Sequence, residues 1–505
     1  MRFAFSTPGS PSIAAAAMAV LVIVSMALPL AGCGKGESPG DGTGTLEVSV
    51  PVNSRTAFVV DALPESESGL EIDGKPDISP RGVPVKDGYA ELNITEEPVW
   101  LIEGELPEER ALATEESPFG FHPASVQGAN YEYAEEIGVV WDRGGMYLFW
   151  VLGQPDLNSD EYEWEIYDRY FQALPPGFMT LKNITVAHDH MVERPGTPEQ
   201  QGGQTPGTID ISQHLEGTTY RPSDPDAYSK WVRAAVERYD GDGIDDMPGL
   251  TTGVEYWQVD NEPPRGREGY PDLVRITSRA IKEADPEARI LIGGLVAPCS
   301  HMVKHYESES LPIIEDLGGE GADILDIHYF GQTGEWKYIP EAVARAREDL
   351  ASNGFNDAAI WFTEMGTYSG RPVERSGRSM PEQSEREQAS EMVKRYSVAL
   401  GSGVEKILWA WGMMEGFSDV NDNDFFDNTG FIYDGVGPGD PGRGVRKIVF
   451  WSYQKMTELL GYWDGSPPEE LEVGEGITAY RFQFGNEDGR GIIAMWLSDN
   501  TTRGD

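Results

Sequence analysis

Residues 256–264 read YWQVDNEPP: an apolar, aromatic-rich run from Val254 to Val259, then Asn261 and Glu262, then two prolines that end regular structure. Such a run is expected to form a strand that presents its closing polar residues at one edge of a sheet. The pattern recurs at residues 361–366, WFTEMG, where an apolar run ends on Glu364. Six further runs match it: PFGFH near Phe119, IGVVWDR near Val139, NITVAHD near Ile184, RILIGG near Ile290, ADILDIH near Ile324 and KILWAW near Ile407. Helical patterns with three-and-four apolar spacing separate most of them, over Asp226–Arg238, Pro271–Asp285, Pro340–Ser352 and Gln383–Leu400. Eight strands alternating with helices predict an α/β fold, a (β/α)8 TIM barrel with its site at the strand C-termini. No glycine-rich phosphate loop follows the first strand, which disfavours a doubly wound sheet. Glu262 and Glu364 fall on the fourth and seventh strands, 364 − 262 = 102 residues apart. Three repeats of a 250-residue barrel would give roughly 31 residues each, close to what is seen.

The flanks differ in character. LEVSV, TAFVVDAL, YAELNI and PVWLIEG precede the barrel; ITAYRFQF and GIIAMWL follow it around the turn GNEDGRG. Neither set is large enough for a sandwich alone, so the two are expected to build one accessory antiparallel β-sandwich together. The chain is thus divided into a signal with its cleavage motif at 1–33, a tether at 34–45, an N-terminal β segment at 46–110, the barrel at 111–461 and a C-terminal β segment at 462–505. The apolar run Ile13–Leu28, closing on Leu30-Ala31-Gly32-Cys33, resembles a bacterial lipoprotein signal. That resemblance implies lipidation of Cys33 and a body held outside the cytoplasm at the cell envelope; a plain secretory signal with an incidental cysteine is the alternative. The segment GKGESPGDGTGT would serve as the flexible tether.

With Lys+Arg at 39 and Asp+Glu at 85, the formal charge is 39 − 85 = −46. A surface so negative repels phosphate backbones, excluding nucleic acid, and disfavours anionic polysaccharides. Two cysteines exclude a disulfide scaffold, and HExxH, CxxC and P-loop motifs are all missing.

Two carboxylates opposed at a barrel mouth are what glycosidic cleavage needs: one to protonate the departing oxygen, one to attack the anomeric carbon. Arg143, closing the second strand, would bias which of them stays ionised.

The NEP and TEMG motifs, with the Arg after strand two, resemble those of the clan A glycoside hydrolases, retaining enzymes on a (β/α)8 barrel. The resemblance implies Glu262 as acid/base, Glu364 as nucleophile and Asn261 as donor to the sugar 2-hydroxyl. It further implies that His328, Tyr329 and Trp411 steady the nucleophile and floor the site. In many members the steadying tyrosine stands two residues after the histidine, where this chain has Phe330. Trp409 and Trp411 alternate, and the later one is expected at the mouth.

His188 and His190 are candidates for sugar contacts or ordinary loop histidines. The loop RYDGDGIDDMPG gathers Asp240, Asp242, Asp245 and Asp246, read either as a structural calcium loop or as a solvated acidic turn; the bidentate Glu of an EF-hand is missing. No organic cofactor is expected, and the partner is an oligo- or polysaccharide. The reading is therefore a retaining glycosidase of neutral β-linked glycans, the alternative being a catalytically silent, glycan-binding barrel lipoprotein.

Overall fold

The computed structural model describes residues 45–72, 79–127, 130–159, 161–187, 213–216, 219–263, 268–299, 302–374, 377–416, 423–436, 439–485 and 488–498. Cys33, the tether, His188 and His190 lie outside these residues.

Eight parallel strands close into a barrel: Phe119–His122, Trp141–Asp142, Met179–Thr185, Tyr256–Val259, Arg289–Val296, Ile324–Phe330, Ala359–Gly366 and Lys406–Ala410. Closure is made by the eighth strand pairing with the first, Ile407 opposite Phe119 and Ala410 opposite His122. A short extra strand, Leu148–Phe149, joins the C-terminal end of the third. Two of the main helices begin where apolar periodicity and a capping side chain coincide. Pro225–Tyr239 starts on Asp224, whose carboxylate accepts the Ala227 N–H at 3.0 Å. Glu385–Gly401 starts on a capping box between Ser384 and Glu387.

Side chains alternate along each strand, and this sets the barrel's interior layers. The lower layer is apolar: Trp141, Leu181, Leu291, Ile324, Ala359, Trp361 and Leu408 pack together across the axis. Trp141 meets Trp361 edge-on at 5.4 Å. Two residues after Trp141, Tyr256, Ile324 and Trp361 come Arg143, Gln258, Asp326 and Thr363, so the next layer is polar and buried. Pairing slips between Phe362 and Met365, a bulge that lets consecutive Thr363 and Glu364 both bond within this layer.

The flanking segments build a two-sheet unit from both chain ends, as expected. Leu46–Pro51, Tyr89–Ile94 and Val85–Lys86 form one sheet. The other, in order, is Glu469–Glu470, Ile477–Gln483, Gly491–Leu497, Val99–Glu103, Ala57–Asp61 and Arg81–Val83. The two ends meet where Ile492 and Ile493 pair antiparallel with Ile102 and Leu101. Val48, Val50, Leu92, Leu101, Ile493 and Met495 fill the space between the sheets. The outer face of the larger sheet carries Trp100 and Trp496 into the barrel's own core, where Trp496 meets Trp336 edge-on at 5.3 Å. Arg386, on a barrel helix, clamps Glu97 of the sandwich at 2.6 Å.

Candidate active site

The mouth of the barrel is organised by Arg143. Its Nη1 donates to Glu364 Oε1 at 2.6 Å, its Nε to Gln258 Oε1 at 2.8 Å and its Nη2 to Asn261 Oδ1 at 2.5 Å. One fixed fork, carried at the end of the second strand, therefore positions residues from the fourth and seventh strands. Because Asn261 accepts through its oxygen, its NH2 is turned the other way, available as a donor.

Behind this fork lies Asp326, fully buried. It accepts from Gln258 Nε2 at 2.6 Å, the Thr363 hydroxyl at 2.6 Å and backbone N–H groups of Gly294 and Thr363, both at 2.9 Å. His328, two residues on, places Nε2 3.3 Å from Asp326 and Nδ1 2.7 Å from Glu262 and 3.4 Å from Glu364. Burial opposes charge on this ring, but Glu364 and Asp326, with hydrogen bonds to Asp326 and Glu262, overcome it and carry the imidazole up to about 10. His328 is thus a cation lying between two glutamates. Gly294 makes room for it: a Cβ there would lie 2.7 Å from the His328 ring and 3.1 Å from Glu262, at a φ of +53°.

Glu262 and Glu364 face each other. Each offers a carboxylate oxygen that lies within 4.8 Å of the other's and of a His328 ring nitrogen. Burial pushes the Glu364 carboxyl up to about 7 and Glu262 adds to the rise, against the pull of His328 and Arg143. Glu364 Oε1 is held by Arg143, whereas Oε2 accepts no hydrogen bond. Of the two, Glu364 is wholly enclosed, and Glu262 reaches solvent with 14% of its side chain exposed. Backbone strain accompanies this placement: Asp260 and Glu262 take φ of +62° and +43°. Asp260 holds the turn by accepting the Asn261 N–H at 2.8 Å, while Asn183 donates to the Asp260 carbonyl at 2.7 Å.

The structure thus brings together Glu262, Glu364, Asn261, Arg143 and His328. Trp411 joins them, its ring 4.5 Å from that of His122. Trp409 turns the other way, donating to the Thr429 carbonyl and packing on Phe431. Tyr329 is a correction. It does not reach the mouth: its hydroxyl donates to the Glu335 carbonyl at 2.8 Å, and its ring stacks on Phe362 under Arg395. The reason is strand alternation, since the inward turn of His328 sends its neighbour outward.

Several contributors escaped the sequence reading. His122 ends the first strand and lies 3.6 Å from Glu364. Tyr147 sits 5.5 Å from the Arg143 guanidinium. Gln258, Asp326 and Thr363 form the supporting layer. His122 carried the signal already used elsewhere, a polar residue closing an apolar strand.

In the acidic loop, Asp240, Asp242 and Asp246 bring carboxylate oxygens within 4.8 Å of one another, and Asp245 is not in that group. These carboxylates already accept N–H groups of their own loop: Gly241 and Gly243 on Asp246, Ile244 on Asp242 and Asp242 on Asp240. Among the described residues no helix is long and apolar enough to cross a membrane.

No protein-family model matches the chain, and no curated protein matches it. Solved structures with a similar course include a glucosidase from Croceicoccus marinus (14% identity, TM-score 0.49, 75% of this chain and 74% of that one). Another is a monomeric beta-xylosidase from Caulobacter crescentus CB15 (16%, 0.45, 74% of each chain). A third is a beta-glucosidase from Thermotoga maritima (14%, 0.42, 65% of this chain and 84% of that one). All three scores lie below 0.5.

Proposed function

We propose that this chain is a retaining glycosidase that cleaves β-glycosidic bonds of neutral glycans through a covalent glycosyl–enzyme intermediate. The observation that carries the reading is the facing pair: Glu262 and Glu364 oxygens within 4.8 Å across the barrel mouth. Retaining enzymes hold their carboxyl groups about 5–5.5 Å apart, whereas inverting ones need roughly 6.5–9.5 Å to admit a water.

The roles follow from the contacts. Arg143 fixes Glu364 through Oε1, and the unbonded Oε2 is the attacking atom. In the first step Oε2 bonds to the anomeric carbon, the glycosidic bond breaks, and the departing oxygen takes a proton from Glu262. In the second, Glu262 removes a proton from water as that water attacks the anomeric carbon, and the ester to Glu364 breaks. His328, hydrogen-bonded to Glu262 at 2.7 Å and anchored by Asp326, compensates negative charge on whichever glutamate carries it. Asn261 donates to a sugar hydroxyl, and Trp411 supplies an apolar floor. No cofactor enters these steps. The net charge of −46 favours neutral glycans over acidic ones. Lipidation at Cys33, leaving the barrel outside the cytoplasm at the cell envelope, belongs to the same proposal.

One observation favours the second reading, a silent glycan-binding barrel: Glu364 is wholly enclosed, so a sugar must displace neighbouring side chains to reach it. A panel of chromogenic β-glycosides and neutral polysaccharides, run with wild type and Glu364→Gln, separates the two. Wild-type turnover that Glu364→Gln abolishes supports the enzyme. Sugar binding without turnover in either protein supports the silent barrel.

A further inference from the structure

The geometry points to His122 as a specificity residue whose Nε2 accepts a hydroxyl of the bound sugar, an inference that rests on the glycosidase reading above. His122 closes the first barrel strand, its ring 4.5 Å from that of Trp411 and 6.4 Å from that of Tyr147. Nδ1 is hydrogen-bonded to the Arg143 carbonyl, which can only accept, so the ring's hydrogen sits on Nδ1. Burial, reinforced by the nearby Arg143 and His328 cations, holds the ring well below its ordinary range, and it is neutral. Nε2 is then a bare lone pair. It is buried, accepts no hydrogen bond, and faces Glu364 Oε1 at 3.6 Å.

Of these two facing acceptors Oε1 already receives Arg143 Nη1, so the unmet demand for a donor is that of Nε2. The neighbouring cations do not meet it: Arg143 directs its bonds to Glu364, Gln258 and Asn261, and His328 lies against Glu262, Glu364 and Asp326. A sugar hydroxyl does, by donating its hydrogen to Nε2. A carboxylate or phosphate does not, since it brings a further acceptor beside Glu364. The position selects a neutral sugar carrying a free hydroxyl close to the carbon that Glu364 attacks.

The test compares the aryl β-glycoside that wild type hydrolyses fastest with its 2-, 3-, 4- and 6-monodeoxy analogues, in wild type and in His122→Asn. The asparagine amide can still donate to the Arg143 carbonyl but offers nothing in place of Nε2. In wild type, one deoxy position is expected to lower kcat/KM by about tenfold or more, the consequence of leaving a buried acceptor unpaired. In His122→Asn the parent substrate should fall by a similar factor, and that one deoxy change should then matter by less than about twofold. A merely structural role would lower all five substrates alike and keep the same deoxy penalties in both enzymes, which overturns the proposal. His122→Gln, which restores an acceptor near Nε2, should recover the discrimination. Wild type that tolerates every deoxy analogue within about twofold overturns the role of His122 without any variant and leaves the glycosidase reading standing. Wild type inactive on every aryl glycoside overturns both.

Discussion

Two buried arginine–glutamate pairs, one in the sandwich and one at the barrel mouth, are built differently. In the sandwich, Glu103 receives Arg481 Nε at 3.1 Å and Nη2 at 3.1 Å, with the N–H groups of Asn53 and Gly491 at 2.7 Å each. Both of its oxygens are satisfied, and the pair joins strands from opposite ends of the chain. At the mouth, Glu364 receives one bond from Arg143, on Oε1, and Oε2 accepts none. A saturated carboxylate is held in one state and stabilises an architecture; a half-satisfied one, in a low-dielectric pocket beside two cations, retains a reactive lone pair. The contrast separates structural from chemical use of the same residue types, and it can be broken by experiment.

The largest expected effect is on Glu364→Gln: turnover falls by about 10⁴-fold or more, measured on the protein that remains folded. Glu262→Gln comes next. Its loss should be about 10²–10⁴-fold for alkyl glycosides, which need a proton on the leaving oxygen, and much smaller for dinitrophenyl glycosides, which do not. Equal losses on both substrates would remove Glu262 from the acid role. Glu103→Gln inverts the pattern. Breaking this buried pair should cost about 3–5 kcal/mol in denaturant unfolding, with kcat/KM of the remaining folded protein unchanged.

A fourth, smaller effect concerns pH. His328 has a folded value near 10, raised from an ordinary 6.5, so its charged partners contribute stability that is fully present below about 6.5 and lost as pH rises through 10. The stability difference between wild type and His328→Asn should therefore shrink between pH 6.5 and 10. A difference that stays constant over that window would contradict the cationic bridge. Smallest of all is calcium removal. Because the Asp240–Asp246 loop satisfies its carboxylates with its own N–H groups, chelation should leave the unfolding midpoint unchanged. A drop on chelation would assign a structural ion to that loop.

Much of this was legible in the sequence. The helices predicted at Asp226–Arg238 and Pro271–Asp285 are found at Pro225–Tyr239 and Tyr270–Ala284, because the three-and-four apolar periodicity ends where each helix does. The two-ended sandwich followed from neither flank having enough strands alone. What remained hidden depends on parity and register. Thr363 and Glu364 both bond within the mouth layer through a register slip that no composition reveals. Tyr147 lies beyond a strand only two residues long, too short to show a period. Tyr329 was misread although alternation with His328 already argued against it.

The most direct test of the central claim is to trap the intermediate with an activated 2-deoxy-2-fluoro β-glycoside of whichever sugar wild type hydrolyses. Mass spectrometry of the digested protein should then find one sugar covalently attached to the peptide carrying Glu364. Hydrolysis that proceeds with inversion at the anomeric carbon, or an adduct on any other residue, would contradict it.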